Sequence, residues 1–155
     1  MKEELGSLAA PAQALLARGG AVTLATLRPG GGPFASYVVT APDADGAPLL
    51  LLSRLAAHTR NLEHDARASL LFVGEADSDD AMTAPRLTLT GTCVTYAEPE
   101  ARRRYLARHP SAARYAGFAD FSLYRFEIGS GHLVAGFGRI VSLTVEELLP
   151  ARHGG

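Results

Sequence analysis

The chain has 155 residues, 47% of them hydrophobic and 20% charged, which predicts one soluble domain with a sizeable core. Its formal net charge of −1 gives no long-range attraction to nucleic acid, because binding to phosphate backbones requires a basic face. No apolar run approaches the roughly 20 residues that cross a bilayer, and the acidic start Met1-Lys2-Glu3-Glu4 is unlike a signal peptide. We therefore expect a cytoplasmic protein that binds neither nucleic acid nor membrane.

The first third of the chain predicts one helix followed by strands. Apolar residues at helical spacing precede Gly19-Gly20, so we expect a helix over residues 7–18 with a glycine stop. The turn-rich segments Arg28-Pro29-Gly30-Gly31-Gly32-Pro33 and Asp43-Ala44-Asp45-Gly46 then separate β-rich segments. These predicted strands cover residues 21–27, 34–40 and 48–53.

The rest of the chain predicts more strands and short helices. Gly129-Ser130-Gly131 is interpreted as a turn, and Thr144 and Glu147 have the spacing of a capping box, which begins a short helix that Pro150 ends. Two further helices are expected over residues 55–64 and 98–108. The expected strands cover residues 69–73, 86–96, 121–128, 132–137 and 139–143.

Seven or eight strands without repeated strand-helix-strand alternation predict a mainly β fold, an antiparallel, Greek-key-like barrel with peripheral helices. We expect a single domain over residues 1–155, with its core in about 20–145 and an N-terminal helix within 1–19. Cys93 is the only cysteine, which excludes an intrachain disulfide and a cysteine-based zinc site. We interpret it as a small core residue.

The most informative segment lies where the strand 48–53 gives way to a helix. A helix start offers free N–H groups and a positive dipole end, which suits phosphate. Side-chain donors crowd the same place, so we predict that a phosphate group is bound by Ser53, Arg54, His58, Thr59 and Asn61. The alternative is that Ser53 caps the helix and the charged residues are ordinary surface groups.

These motifs resemble the FMN-binding split-barrel family, whose best-known branch is pyridoxamine 5'-phosphate oxidase. The resemblance runs over about residues 20–145. It is carried by the strand from Gly32 to Val39, the phosphate turn from Ser53 to Leu62, the segment from Asp65 to Phe72, Leu87-Thr88-Leu89-Thr90-Gly91, and His109-Pro110. The haem-utilisation branch is the most similar, since it shares Ser53-x-Leu55-Ala56-x-His58-Thr59-x-Asn61-Leu62 and Gly136-Phe137-Gly138.

The resemblance implies a homodimer that holds FMN at its interface. Main-chain groups of Ser36, Tyr37 and Val38 would meet the flavin ring edge, although plain strand packing also explains these residues. Arg86 and Thr88 would reach the partner's flavin, with a solvated strand end as the alternative for Arg86. Arg139 would approach from the closing strands, or form a structural ion pair.

Two departures from the oxidase branch argue against vitamin B6 oxidation. Where that branch has Ser-Arg-Lys, this chain has Ala56-Ala57-His58, and it contains no tryptophan at all. The resemblance otherwise implies an FMN-dependent oxidoreductase acting on an unidentified small molecule, with the cofactor performing the chemistry. Deazaflavin F420 and a non-catalytic flavin-binding module stay open.

The second hypothesis is a haem-binding or haem-degrading protein of the haem-utilisation type. A neutral imidazole is the usual axial donor to haem iron. His132 and His153 are the candidates for this ligand, and a histidine that binds nothing is the alternative for each. The residues suggest no other metal site, and no catalytic nucleophile or base stands out.

Overall fold

The structure is a computed structural model that describes residues 2–136 and 138–150. Its helices are α1 (Lys2–Arg18), α2 (Ala57–His64), α3 (Pro99–Arg108), α4 (Ala113–Ala116) and α5 (Val145–Leu148). Its strands are β1 (Gly20–Leu27), β2 (Pro33–Pro42), β3 (Pro48–Ser53), β4 (Arg67–Val73), β5 (Arg86–Thr95), β6 (Phe121–Val134) and β7 (Ile140–Thr144). None of the helices in these ranges is long and apolar enough to cross a membrane.

The strands form a closed antiparallel barrel with one extra strand. Hydrogen-bonded neighbours follow the order β3-β2-β1-β4-β5-β6-β7, and β3 also pairs with β6. In this closing pair Leu50 lies opposite Tyr124 and Leu52 opposite Ser122. The mainly β barrel with helices at its margin, predicted from the number of strands and the lack of repeated strand-helix-strand alternation, is confirmed.

Two apolar clusters fill the inside of the barrel and its helix-covered side. Inward-facing side chains such as Leu24, Leu70 and Phe126 are fully buried, as is the Cys93 thiol at 1% exposure. A second cluster under α3 contains Leu49, Leu51, Tyr105 and Leu123. Strand β3 therefore has both faces covered, which explains its continuous apolar sequence.

The predicted turn at residues 129–131 is wrong, because β6 runs without interruption through that segment. The pairing of β5 with β6 shifts there, from Thr90 opposite Ser130 to Gly91 opposite Ile128, so Gly129 is the extra residue of a β-bulge. A Cβ atom on Gly91 would lie 2.0 Å from the carbonyl oxygen of Glu127. Glycine is common both in turns and in β-bulges, so the glycines of this segment were consistent with the turn that we predicted.

Most predicted element boundaries agree with the structure to within a few residues. Helix α2 begins at Ala57, after a turn that occupies the first residues of its predicted range. The capping box of Thr144 and Glu147 is confirmed, with both reciprocal hydrogen bonds present. The interpretation of Cys93 as a core residue also holds, and burial raises the pKa of its thiol to about 12.

A nearly buried arginine joins the β2–β3 turn to the closing strand β6. The Arg125 side chain is 11% exposed. It donates hydrogen bonds to Asp43 Oδ2 at 2.7 Å, to Asp45 Oδ2 at 2.6 Å and to Glu127 Oε1 at 2.8 Å. The turn that follows β2 is thereby tied to the strand that completes the barrel.

The same network changes the titration of Asp45. Burial raises the pKa of this carboxyl, but hydrogen bonds from Arg125 and from the Ala47 backbone outweigh it and hold the pKa below its ordinary value of 3.8. Because the pKa of Asp45 is lower in the folded than in the unfolded state, its ionisation stabilises the fold at pH values above the unfolded-state pKa. This stabilisation is lost as the pH falls through the folded-state pKa of Asp45.

We expect Arg125→Met to lower the free energy of unfolding by about 3 kcal/mol, because it leaves the half-buried Asp45 without its cation and leaves Asp43 only the more exposed Arg104. Urea unfolding followed by circular dichroism at neutral pH measures this change. The variant should also lose less stability than the wild type between neutral and acid pH. Arg67→Met, which removes the exposed pair with Asp65, is the control and should unfold almost like the wild type. Equal effects of the two substitutions would contradict the structural role of Arg125.

Candidate functional site

The turn after β3 is built around Ser53. Its hydroxyl donates to Asp120 Oδ2 at 2.8 Å and accepts from the Leu55 N–H at 3.1 Å. The N-cap of α2 is Ala56, which makes no side-chain hydrogen bond to the helix. Ser53 thus stabilises the turn that leads into α2, and the start of the helix is left without a side-chain cap.

The two arginines of this segment lie at the surface. Arg54 is near Glu63, with 3.6 Å between Nε and Oε1, and both side chains are largely exposed. Arg60 reaches back to donate to the Leu55 carbonyl at 3.1 Å. The Arg60 guanidinium retains further N–H groups for a ligand, because one arginine carries five such donors.

Three polar residues of α2 face inward to different extents. His58 is half-buried, and its burial lowers the pKa of the imidazole below the usual 6.5, which favours the neutral form at neutral pH. Asn61 is buried and donates to Thr26 Oγ1 at 3.0 Å. Thr59 is fully buried, and its hydroxyl has no hydrogen-bond partner among the described residues. An unsatisfied buried hydroxyl costs about 1–3 kcal/mol, but Thr59 is 0% exposed, so a ligand at the surface of α2 does not reach it.

A cleft of about 410 Å³ lies between α2 and the β1–β2 hairpin. Its lining includes Arg28, Pro29, Ala57, Arg60 and Asn61, and we call it the α2 cleft. The Arg28 guanidinium is held over the Phe34 ring, 4.8 Å from the centroid. The sequence-based prediction missed Arg28, because no local motif links a hairpin residue to a helix so far along the chain.

The structure separates the three predicted residues of β2. Ser36 donates to the Leu24 carbonyl at 3.3 Å and Val38 is buried, whereas Tyr37 points outward and is 78% exposed. Strand β2 pairs with β1 along its length but with β3 only from Thr40 onward. Within the described ranges, one backbone edge of residues 33–39 therefore has no strand partner. The predicted main-chain contact with a flavin at this edge stays a prediction.

The outward side chains of six strands follow one another around the outside of the barrel, and we call this surface the outer sheet face. Its central row, in which each residue lies opposite the next, is Tyr37, Thr23, Leu71, Thr88, His132 and Ser142. An adjacent row is Val73, Arg86, Val134 and Ile140. Several large apolar side chains of this face are exposed, including Ile140 at 64% and Val73 at 47%.

The remaining predicted residues lie on or beside the outer sheet face. Arg86 donates to the carbonyls of Met82 and Ala84 at 2.8 and 3.2 Å, while Arg139 is exposed next to Ile140. His132 is exposed between its strand neighbours Thr88 and Ser142. His153 and Phe137 lie outside the described residues.

The predicted site residues therefore form two groups. One surrounds the first turns of α2, and the other lies on the outer sheet face and its margin. A six-stranded closed barrel with an additional strand and marginal helices is a split barrel. The sequence matches the family described as pyridoxamine 5'-phosphate oxidase over residues 8–135, and the chain belongs to this family.

Several relatives carry names that mention haem. The chain is 42% identical over 100 residues to a non-canonical heme oxygenase, HOZ, of Arabidopsis thaliana chloroplasts, a match that covers 63% of this chain and 30% of the relative. A solved heme binding protein from Mycobacterium smegmatis is 34% identical with a TM-score of 0.86, over 92% of this chain and 60% of that one. This chain thus spans less than two thirds of both relatives.

The heme storage protein HutZ from Vibrio cholerae has the same fold. It superposes with a TM-score of 0.61 and 18% identity, covering 90% of this chain and 98% of that chain. At this identity the likeness concerns the fold alone.

The half-buried state of His58 has a measurable consequence. In a proton NMR titration without added anions, we expect the His58 imidazole to titrate below pH 6.5, because burial disfavours its charged form. The resonance is assigned by its loss in His58→Gln. If a phosphate dianion binds at the start of α2, added phosphate should raise this midpoint. A midpoint at or above 6.5 without anions would contradict the observed burial.

Proposed function

We propose that the protein binds haem and that haem lies on the outer sheet face. The observation that carries this proposal is His132, an exposed imidazole in the middle of a sheet surface with large exposed apolar side chains. An imidazole nitrogen is the common protein ligand of haem iron. The names of the relatives from Arabidopsis thaliana and Mycobacterium smegmatis support the choice of haem.

The residues around His132 fit the chemistry of a porphyrin. Leu71, Val73 and Ile140 offer apolar contact to a flat ring. Arg86 and Arg139, at the margin of the same face, offer cations to the two propionates. The Arg86 guanidinium uses one of its nitrogens on backbone carbonyls and keeps other donors.

The other described histidines fit less well. His109 Nε2 lies 2.8 Å from the Thr40 carbonyl oxygen, so this nitrogen is already engaged. His58 is half-buried on α2, and His64 lies at the end of that helix. Neither belongs to the outer sheet face, where the apolar surface for a porphyrin is found.

We also propose that two copies of the chain pair through the outer sheet face. A planar ligand on the outside of the barrel leaves its second side in water, whereas ligand sites normally bury most of the ligand. The exposed Tyr37, Val73 and Ile140 would be covered by a second copy, and haem would then lie between two faces. This arrangement agrees with the homodimer that the family resemblance implies.

Bound haem would supply redox-active iron, and haem breakdown is the reaction that the name of the relative from Arabidopsis thaliana suggests. The chain itself would contribute His132 as a ligand. The hydroxyls of Thr88 and Ser142, which lie opposite His132 on the neighbouring strands, would offer hydrogen bonds beside it. The apolar side chains of the face would exclude water from the ring.

Titration with hemin tests the site directly. We expect a Soret shift with one equivalent per binding site, and we expect His132→Ala to weaken hemin binding at least about tenfold, since an axial ligand is lost. His64→Ala, which removes an exposed histidine from α2, is the matched control and should bind like the wild type. An unchanged spectrum and affinity in His132→Ala would exclude His132 as the ligand.

A second candidate function is flavin binding, which the α2 cleft supports. Arg28 and Arg60 place two guanidinium groups beside the start of α2. Guanidinium groups and a helix N-terminus together suit the phosphate of FMN or of deazaflavin F420. An oxidoreductase would then also show reduction of the bound flavin by an electron donor, whereas a non-catalytic flavin-binding module would not.

The contribution of the phosphate is measured by comparing FMN with riboflavin. We expect Arg60→Gln to weaken FMN binding about tenfold, the equivalent of one charge-assisted hydrogen bond, and to leave riboflavin binding unchanged. Arg67→Gln, a substitution outside the α2 cleft, is the control. Equal losses for FMN and riboflavin would show that the phosphate does not bind at Arg60, and binding of neither flavin would exclude this candidate.

A further inference from the structure

A cavity of about 400 Å³ lies outside the barrel, where β5 ends and α3 begins. It is within the size range of small-molecule sites, and we call it the α3 pocket. The end of β5, the start of α3 and the start of β6 all contribute to its wall. The lining residues that matter here are Tyr96, Ala97, Glu98, Arg102, Phe121 and Leu123.

Two opposite charges line the α3 pocket without pairing. Glu98 is the N-cap residue of α3 and Arg102 follows four positions later, a spacing at which acidic and basic side chains ordinarily meet. No ion pair within 4.0 Å joins them. The Arg102 guanidinium instead donates to the Ala116 carbonyl, and the Glu98 carboxylate makes no side-chain hydrogen bond to the α3 N-terminus. The pocket therefore presents a carboxylate and a guanidinium that do not pair with each other, and the guanidinium keeps N–H donors beyond the one bound to Ala116.

The rest of the wall is aromatic and apolar. Phe121 packs against Tyr115 with 4.8 Å between ring centroids, and the Arg125 guanidinium lies 5.6 Å from the Tyr96 centroid. Both pocket rings are thus held in place by neighbours. Leu123 is buried beneath them. Such a wall suits a flat aromatic group.

The α3 pocket is separate from the proposed haem site. Thr88, the neighbour of His132, and Tyr96 are eight residues apart along one extended segment. At about 3.4 Å per residue this corresponds to about 27 Å. The pocket also shares no lining residue with the α2 cleft.

We propose that the α3 pocket binds an aromatic α-amino acid in its zwitterionic form. The ring would contact Tyr96, Phe121 and Leu123, the carboxylate would accept from Arg102, and the ammonium group would donate to Glu98. A neutral aromatic molecule would leave both charges without a partner. A simple aromatic acid or amine would leave one of them unpaired, next to a like charge.

The absence of tryptophan from the chain makes L-tryptophan a clean fluorescent probe, because all indole emission then comes from the ligand. Titration of the purified protein at neutral pH should give saturable binding of L-tryptophan. Tryptamine lacks the carboxylate and indole-3-propionate lacks the ammonium group. Each should bind at least about tenfold more weakly, the loss of one charge-assisted hydrogen bond. Equal affinity for all three probes, or no saturation by L-tryptophan, overturns the proposal.

A charge substitution assigns the ammonium contact. Glu98→Gln should weaken L-tryptophan binding about tenfold, whereas indole-3-propionate binding should not weaken and should tighten if anything, because the substitution removes a like charge beside the ligand carboxylate. Glu100→Gln is the matched control, since Glu100 is an exposed residue of the same helix that pairs with Arg103. The same loss in both variants, or none in Glu98→Gln, overturns the assignment.

A steric substitution tests the location without removing a polar contact. Ala97→Phe places a ring in the pocket wall and should abolish L-tryptophan binding. Ala107→Phe, at an exposed position of α3 outside the pocket, should leave it intact. Melting temperatures of both variants show whether the fold is retained. Unchanged binding in a folded Ala97→Phe protein places the ligand elsewhere and overturns the proposal.

Discussion

The pairing of β3 with β6 is the contact on which the rest of the molecule depends, because it turns an open antiparallel sheet into a closed barrel. Strand β3 is buried on both faces, by the barrel interior and by the cluster under α3. The nearly buried Arg125, on β6, binds Asp43 and Asp45 in the turn before β3 and so fixes the position of that turn. A closed barrel has no open edge at this junction, so it needs no further strand to complete it.

Closure also determines where ligands can bind. Leucine and phenylalanine side chains fill the barrel interior, as in other small barrels whose inside is packed with side chains. Binding surfaces must therefore lie outside the barrel. The outer sheet face carries the exposed His132, the α2 cleft carries two guanidinium groups, and the α3 pocket carries an unpaired anion and cation. Each surface suits a different ligand chemistry, so one small fold offers room for more than one ligand.

The sequence predicted the helices and strands better than the contacts between distant segments. β-rich segments between turn signals identified β1 and β3, alternating apolar residues identified β5, and the capping box located α5, because these signals lie within a few neighbouring residues. The segment around Gly129 was misread, since a glycine can serve either a turn or a bulge and only the opposite strand decides between them. The α2 residues were grouped correctly because they are contiguous. Arg28 was missed because the hairpin brings it to α2 only in the fold.

The sequence by itself determined the family, the strand and helix types, and the cluster of polar groups at the start of α2, since all of these depend on local order and spacing. The tertiary structure alone decided that β6 closes on β3, that His132 shares a face with Leu71 and Thr88, and that Glu98 and Arg102 stay apart. These features depend on strand register and on contacts between distant segments. A shift of one residue in register would turn every outward side chain inward, and no local pattern specifies which strand lies opposite.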